Sequence, residues 1–224
     1  MLVFGSSAWV KLDGGVVLEC SNVTCIRGES VLFKNLSFVA DYGTVTVVTG
    51  MNGSGKTSLL RAMVGLVPIR FGTITLDGEV VTTSSTCISN ITYVGHKNAC
   101  YEHLSTADIL RYWAHSRDKD ALLSAAVNFF GLDPVLNTKY KHLSSGWKRK
   151  VALSRLLLFN TQVWIIDEPF TNMDSQAIDT VRNLIHTRAE HGGIVVMSDH
   201  NPAHIFPDAQ IVHLSPTRAE EVLT

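Results

Sequence analysis

A β-branched run, VTVVTG, leads straight into MNGSGKT and then into the helical pattern SLLRAMVGL. Gly50-x-x-x-x-Gly55-Lys56-Thr57 in that setting reads as a phosphate loop: a strand, a glycine-rich turn and a helix start whose free N–H groups converge on an anion. Gly50, Gly53 and Gly55 allow positive φ and let the backbone approach oxygen atoms closely. Asn52, Gly53, Ser54, Gly55, Lys56, Thr57 and Ser58 are therefore the candidate nucleotide-binding set. Lys56 brings a positive charge to the β- and γ-phosphates, and the Thr57 hydroxyl is placed to ligate Mg²⁺. The loop calls for a nucleoside triphosphate and an α/β fold, and leaves the reaction open.

A second motif narrows the chemistry. VWIIDEPF is a buried strand pattern that ends in two acids. Carboxylates rarely follow such a run without a partner. Asp167 suits a metal contact, and Glu168, one residue further out, is the candidate that polarises an attacking water. A guanine-reading [NT]-K-x-D motif is missing. The nearest stretch, Thr171-Asn172-Met173-Asp174, has Asn where Lys is needed, which favours ATP. These two motifs alone do not separate an ATPase from a metabolite kinase.

Composition removes other classes. The formal net charge is -1, so no basic field exists to hold a nucleic-acid backbone. The cluster Lys148-Arg149-Lys150 reads as a solvated or dipole-tuning face of a helix. Cys20, Cys25, Cys87 and Cys100 form no C-x-x-C pair, so a zinc site or redox dithiol is not expected, and the thiols read as core residues. No apolar run reaches the length of a membrane span. The first fifteen residues lack the pattern of a signal peptide and read as a leader before the first strand.

Period-2 and buried apolar runs place strands at 16–19, 44–49, 72–76, 90–94, 163–167, 193–198 and 210–214. Helical periodicity covers 57–64, 106–115, 119–130, 145–159 and 175–191. Helices cluster between about 104 and 159, which implies an α/β core carrying a helical insertion.

Residues 143–147, LSSGW, begin the helix that precedes the acidic strand. This order of motifs resembles the ATP-binding cassette (ABC) family, whose signature LSGGQ corresponds to Leu143-Ser144-Ser145-Gly146-Trp147. The likeness runs from about Val17 to Leu214. It implies one ATP-binding domain over 1–224. The core would be about 16–95 and 160–215, with an antiparallel β subdomain, and the helical subdomain about 100–158. It also implies that Ser144 and Gly146 face the γ-phosphate of ATP on a second copy, two chains closing head-to-tail as a homodimer. Asp174 matches the acidic residue of the loop that crosses that interface, and His200 the switch histidine that contacts the γ-phosphate. His96, in YVGHKN, stands where most members have glutamine and joins Glu168 and His200 as a catalytic candidate: it could hydrogen-bond water near Mg²⁺ or couple to a neighbouring subunit. Trp147 and Ser145 depart from the signature. Trp147 could pack on the partner or the ribose, and Trp147→Gln should then change turnover. The aromatic that usually stacks on adenine is missing, leaving Cys25, Ile26 and Arg27 near the base.

YVGHKN, LSSGWKRKVALSRL, WIIDEPFTNMD and GGIVVMSDHNP together are similar to the ATPase subunits of bacterial haem exporters that serve cytochrome c maturation. That resemblance implies an ATPase docked on membrane subunits at the cytoplasmic face of the inner membrane, powering haem export or release of a haem-loaded chaperone. The alternative is an ATPase subunit of another ABC transporter with a different substrate. A soluble ABC machine acting on DNA or ribosomes would need a long coiled-coil insertion or two cassettes. Partners are therefore membrane subunits rather than nucleic acid. Tyr101, Tyr112 and Trp113 are open to either core or partner contact.

Overall fold

The computed structural model describes residues 17–28, 30–199 and 206–215. The leader and His200 lie outside the described residues. Two sheets organise the described residues. A five-stranded parallel sheet has the order β6-β7-β8-β3-β9, built from β3 (Val45–Gly50), β6 (Ile91–Val94), β7 (Val163–Asp167), β8 (Ile194–Ser198) and β9 (Gln210–Leu214). A four-stranded antiparallel sheet has the order β2-β1-β4-β5, from β1 (Leu18–Arg27), β2 (Ser30–Ala40), β4 (Phe71–Leu76) and β5 (Glu79–Val80). The helices are α1 (Lys56–Ala62), α2 (Ser85–Ser89), α3 (Thr106–His115), α4 (Leu123–Phe130), α5 (Ser145–Phe159) and α6 (Ser175–Glu190).

The parallel strands explain why the core has two halves. Every residue of β7 and β8 is buried, as expected where both faces of a parallel sheet are covered. Successive side chains point to opposite faces. Trp164, Ile166, Val195 and Met197 therefore pack with the helical side, among Leu110 of α3, Leu153 and Leu156 of α5 and Ile185 of α6. Val163, Ile165, Ile194 and Val196 pack on the other side with Leu59 and Leu60 of α1 and with Leu18, Phe33 and Ile74 of the antiparallel sheet.

Three differences from the sequence reading have local causes. The strand expected at 16–19 overlaps only the first two residues of a ten-residue β1, and the whole of β2 escapes the periodicity. Register shifts between Cys20 and Val23, and again after Val23 and Cys25, break the period-2 alternation of β1. In β2 the first three residues and Asn35 to Val39 are exposed or half-exposed, so the apolar alternation is weak. The helix at 119–130 is instead a 3-10 turn at Asp120–Leu122 followed by α4, with no side-chain cap at the start of either.

Register positions the functional edge. β7 and β8 pair with Asp167 opposite Ser198, and β8 and β3 pair with Ser198 opposite Val48. The acidic strand end, Ser198 and the strand that feeds the glycine loop therefore share the carboxyl edge of the sheet. Open α/β sheets bind ligands at that edge.

Candidate nucleotide site

The loop after β3 is built by backbone constraint. Gly50 has φ 143°, and a Cβ there would lie 2.6 Å from both the Leu214 carbonyl oxygen and Ser54 Oγ. No other residue fits without displacing β9 or the loop itself. Asn52 and Gly53 are exposed, whereas Ser54 and Lys56 are buried and Gly55, Thr57 and Ser58 are intermediate. The Lys56 ammonium donates to the carbonyls of Gly50 (2.8 Å) and Met51 (3.1 Å), so its charge is held at the centre of the loop. The loop thus brings a cation and a helix start together at the carboxyl edge of the sheet, which suits a polyphosphate.

Asp167, only 1% exposed, anchors the acidic end. Its Oδ2 accepts from Thr57 Oγ1 at 2.8 Å, and its Oδ1 accepts from Ser198 Oγ at 2.7 Å. Ser198 Oγ in turn accepts from the Glu168 N–H at 2.9 Å. Thr57 and Asp167 together offer a hydroxyl and a carboxylate, the hard oxygen donors that suit Mg²⁺ beside a phosphate. The residues present therefore fit that ion.

Glu168 stands just beyond, half-buried, with φ 51°. The left-handed region is costly for a residue with a side chain. Its Oε2 accepts from His96 Nδ1 at 3.1 Å and from Thr171 Oγ1 at 3.3 Å. His96 is exposed, so this pair meets solvent at the mouth of the site. The structure thus brings His96 to the candidate base.

Ser144 caps α5, its Oγ accepting from the Trp147 N–H at 3.4 Å, and Asp174 caps α6, its Oδ1 accepting from the Ala177 N–H at 2.7 Å. Ser144 and Asp174 are both exposed. A Cβ on Gly146 would lie 3.0 Å from the Asn172 carbonyl oxygen, so this glycine lets the helix start approach the loop that follows the acidic strand. Trp147 is half-buried against the chain's own helical-side core, and the Lys150 ammonium lies 4.8 Å from the ring centroid. Trp147→Gln is therefore expected to lower the unfolding free energy by about 1–3 kcal/mol in urea denaturation. An unchanged midpoint and slope would show that this packing contributes nothing.

Two functional-edge residues were missed by sequence reasoning. Ser198 ends an apolar strand with a hydroxyl, the same signal that picked out Asp167. Arg149 was read as part of a solvated basic face, but it is 4% exposed. Lys148 and Lys150 are half-exposed; Arg149 lies three, four and seven residues before buried Ala152, Leu153 and Leu156, and so shares their helical stripe. Burial pushes its guanidinium down to about 10, with Asp167 and Glu168 acting against that shift. It stays cationic near neutral pH.

The chain is similar to known proteins in sequence and fold. The ABC transporter family model matches residues 33–171. The cytochrome c biogenesis ATP-binding export protein CcmA of Wolbachia pipientis is 47% identical over 186 residues, 83% of this chain and 90% of that protein. The protein of the same name from Paramagnetospirillum magneticum is 36% identical over 211 residues, 92% of this chain and 97% of that one. Among solved structures, an ATP-binding subunit of an ABC transporter aligns with TM-score 0.80 and 25% identity, covering 88% of this chain and 85% of that chain. A bacterial Atm1-family ABC exporter with ATP bound aligns with TM-score 0.78 and 19% identity over 91% of this chain and 38% of that chain, a likeness of fold.

Proposed function

Since the chain belongs to the ABC transporter family, among the ATP-binding export proteins of cytochrome c biogenesis, and is an ATPase, we propose that it powers haem export or haem-chaperone release for cytochrome c assembly. The observation that carries the catalytic part is the chain Thr57–Asp167–Ser198–Glu168, which ties the glycine loop to the candidate base through three hydrogen bonds.

In this reading 1–224 is one ATP-binding domain, with about 16–95 and 160–215 as its core and about 100–158 as its helical subdomain. Asn52, Gly53, Ser54, Gly55 and Ser58 cradle the triphosphate, and Lys56 neutralises its β- and γ-oxygens. Thr57 and Asp167 would hold Mg²⁺, which would supply further charge neutralisation for the triphosphate. Glu168 takes the proton of the attacking water while His96 holds its carboxylate in place. His200 contacts the γ-phosphate. Ser144, Gly146 and Asp174 act on the nucleotide of a second copy, a reading supported by the exposure of Ser144 and Asp174. ATP thereby joins two chains as a homodimer.

The chain works with membrane partner subunits, as an exporter's ATP-binding subunit must. No helix among the described residues is long and apolar enough to cross a membrane. We place it as a peripheral subunit at the cytoplasmic face. Tyr101 and Tyr112, 58% and 56% exposed, meet edge-to-face at 6.1 Å between centroids and form an aromatic ledge suited to a membrane subunit, while Trp113 is buried in the core.

The test is a strain lacking this chain and complemented with it. The native chain is expected to restore covalent haem in c-type cytochromes, and Glu168→Gln to leave it near the null level. Equal haem staining in the null and complemented strains would refute the export role.

A further inference from the structure

Arg149 uses all five of its N–H groups, and none goes to a carboxylate. Nε donates to the Pro169 carbonyl at 3.3 Å. One terminal nitrogen donates to the Gly95 carbonyl (2.8 Å) and Asn98 Oδ1 (3.1 Å). The other donates to the carbonyls of Asp167 (2.7 Å) and Glu168 (2.9 Å). The acceptors belong to two segments, 95–98 after β6 and 167–169 at and after the end of β7, while the donor sits in the second turn of α5. One rigid planar group therefore fastens three pieces of chain.

The fastened piece is the strained one. Glu168 holds φ 51°, a conformation that persists only where its surroundings over-determine it. Its N–H is held by Ser198 from the sheet side. Its carbonyl is held by Arg149 from the helix side. The same guanidinium holds Gly95 and Asn98, which flank His96, the partner of the Glu168 carboxylate. Backbone and side chain of Glu168 are both referred to α5 through this one residue.

We infer that Arg149 is a positioning residue that couples the start of helix α5 to the catalytic carboxylate, so that a shift of α5 re-aims Glu168 and the 95–98 segment together. The inference rests on the composite-site reading above. Because Ser144 and Gly146 address the nucleotide of the second copy, Arg149 links occupancy of one ATP site to the base of the other.

The test uses the complex with its membrane subunits. Arg149→Lys keeps the charge but cannot span five acceptors, and Arg149→Met keeps only the apolar stem. The expected result is a kcat at least tenfold lower for Arg149→Lys and about a hundredfold lower for Arg149→Met. KM for ATP and Kd for a non-hydrolysable analogue should stay within threefold of native, and the Hill coefficient for ATP should fall towards one. A kcat within threefold of native for Arg149→Lys overturns the inference, as does a KM that rises in step with the loss of kcat. If Arg149→Met does not fold, Arg149→Lys decides alone. The composite-site reading has its own check in the same series: Glu168→Gln must dimerise with ATP. Monomers there would refute the shared site, while the split between kcat and KM would still decide whether Arg149 holds Glu168.

Discussion

Glu168→Gln is expected to lower ATP turnover by about 10²–10⁴-fold, the usual contribution of a general base, while ATP affinity stays within a few-fold. The substitution is unusually clean here. Glutamine keeps the size of the side chain and an oxygen that can accept from His96 and Thr171, as Glu168 Oε2 does at 3.1 and 3.3 Å. It adopts the left-handed backbone at Glu168 at the same cost as glutamate. The loop, Lys56 and the Thr57–Asp167 bond are untouched. What disappears is the ability to accept a proton from water. ATP-bound dimers should therefore accumulate and be visible as a doubled mass in size-exclusion chromatography with light scattering. Native turnover in the variant would remove Glu168 from the mechanism, and a monomer at saturating ATP would count against the shared site.

Lys56→Ala should abolish detectable ATP binding by calorimetry, a loss of roughly 100-fold or more for truncating a buried, hydrogen-bonded charge that faces an anion. Lys56 is 7% exposed and its ammonium is held by the Gly50 and Met51 carbonyls. Alanine removes both the charge and the clamp on the loop. The native protein should gain thermal stability with added ATP, since a ligand that binds only the folded state stabilises it. The variant should show no such shift while keeping a cooperative melt of its own. An unchanged Kd would sink the assignment of this loop as the phosphate site.

The site was legible wherever its chemistry is local. The glycine loop is one contiguous segment whose residue types are dictated by close backbone approach, so Gly50 to Ser58 can be read in order. Asp167 and Glu168 are visible because two acids end a buried apolar strand. β2 was not legible because its half-exposed face carries little periodicity and because the bulges of β1 shift the register beside it. Arg149 was not legible as a site residue because its flanking lysines suggest a solvated face. Only the stripe it shares with Ala152, Leu153 and Leu156 places it inside.

Sequence alone therefore determined the α/β class, the glycine loop, the acidic strand and the likeness to ABC ATPases, because each depends on residues close together in the chain. Tertiary structure decided how those parts are joined. Parallel pairing sets Ser198 opposite Asp167 across 31 residues of chain, and its hydroxyl bridges Asp167 and Glu168. A buried guanidinium from α5 closes on carbonyls 18 to 54 residues away. His96 meets Glu168 across 72 residues. Such contacts leave no local signature, because register and burial, rather than spacing, bring the partners within hydrogen-bond reach.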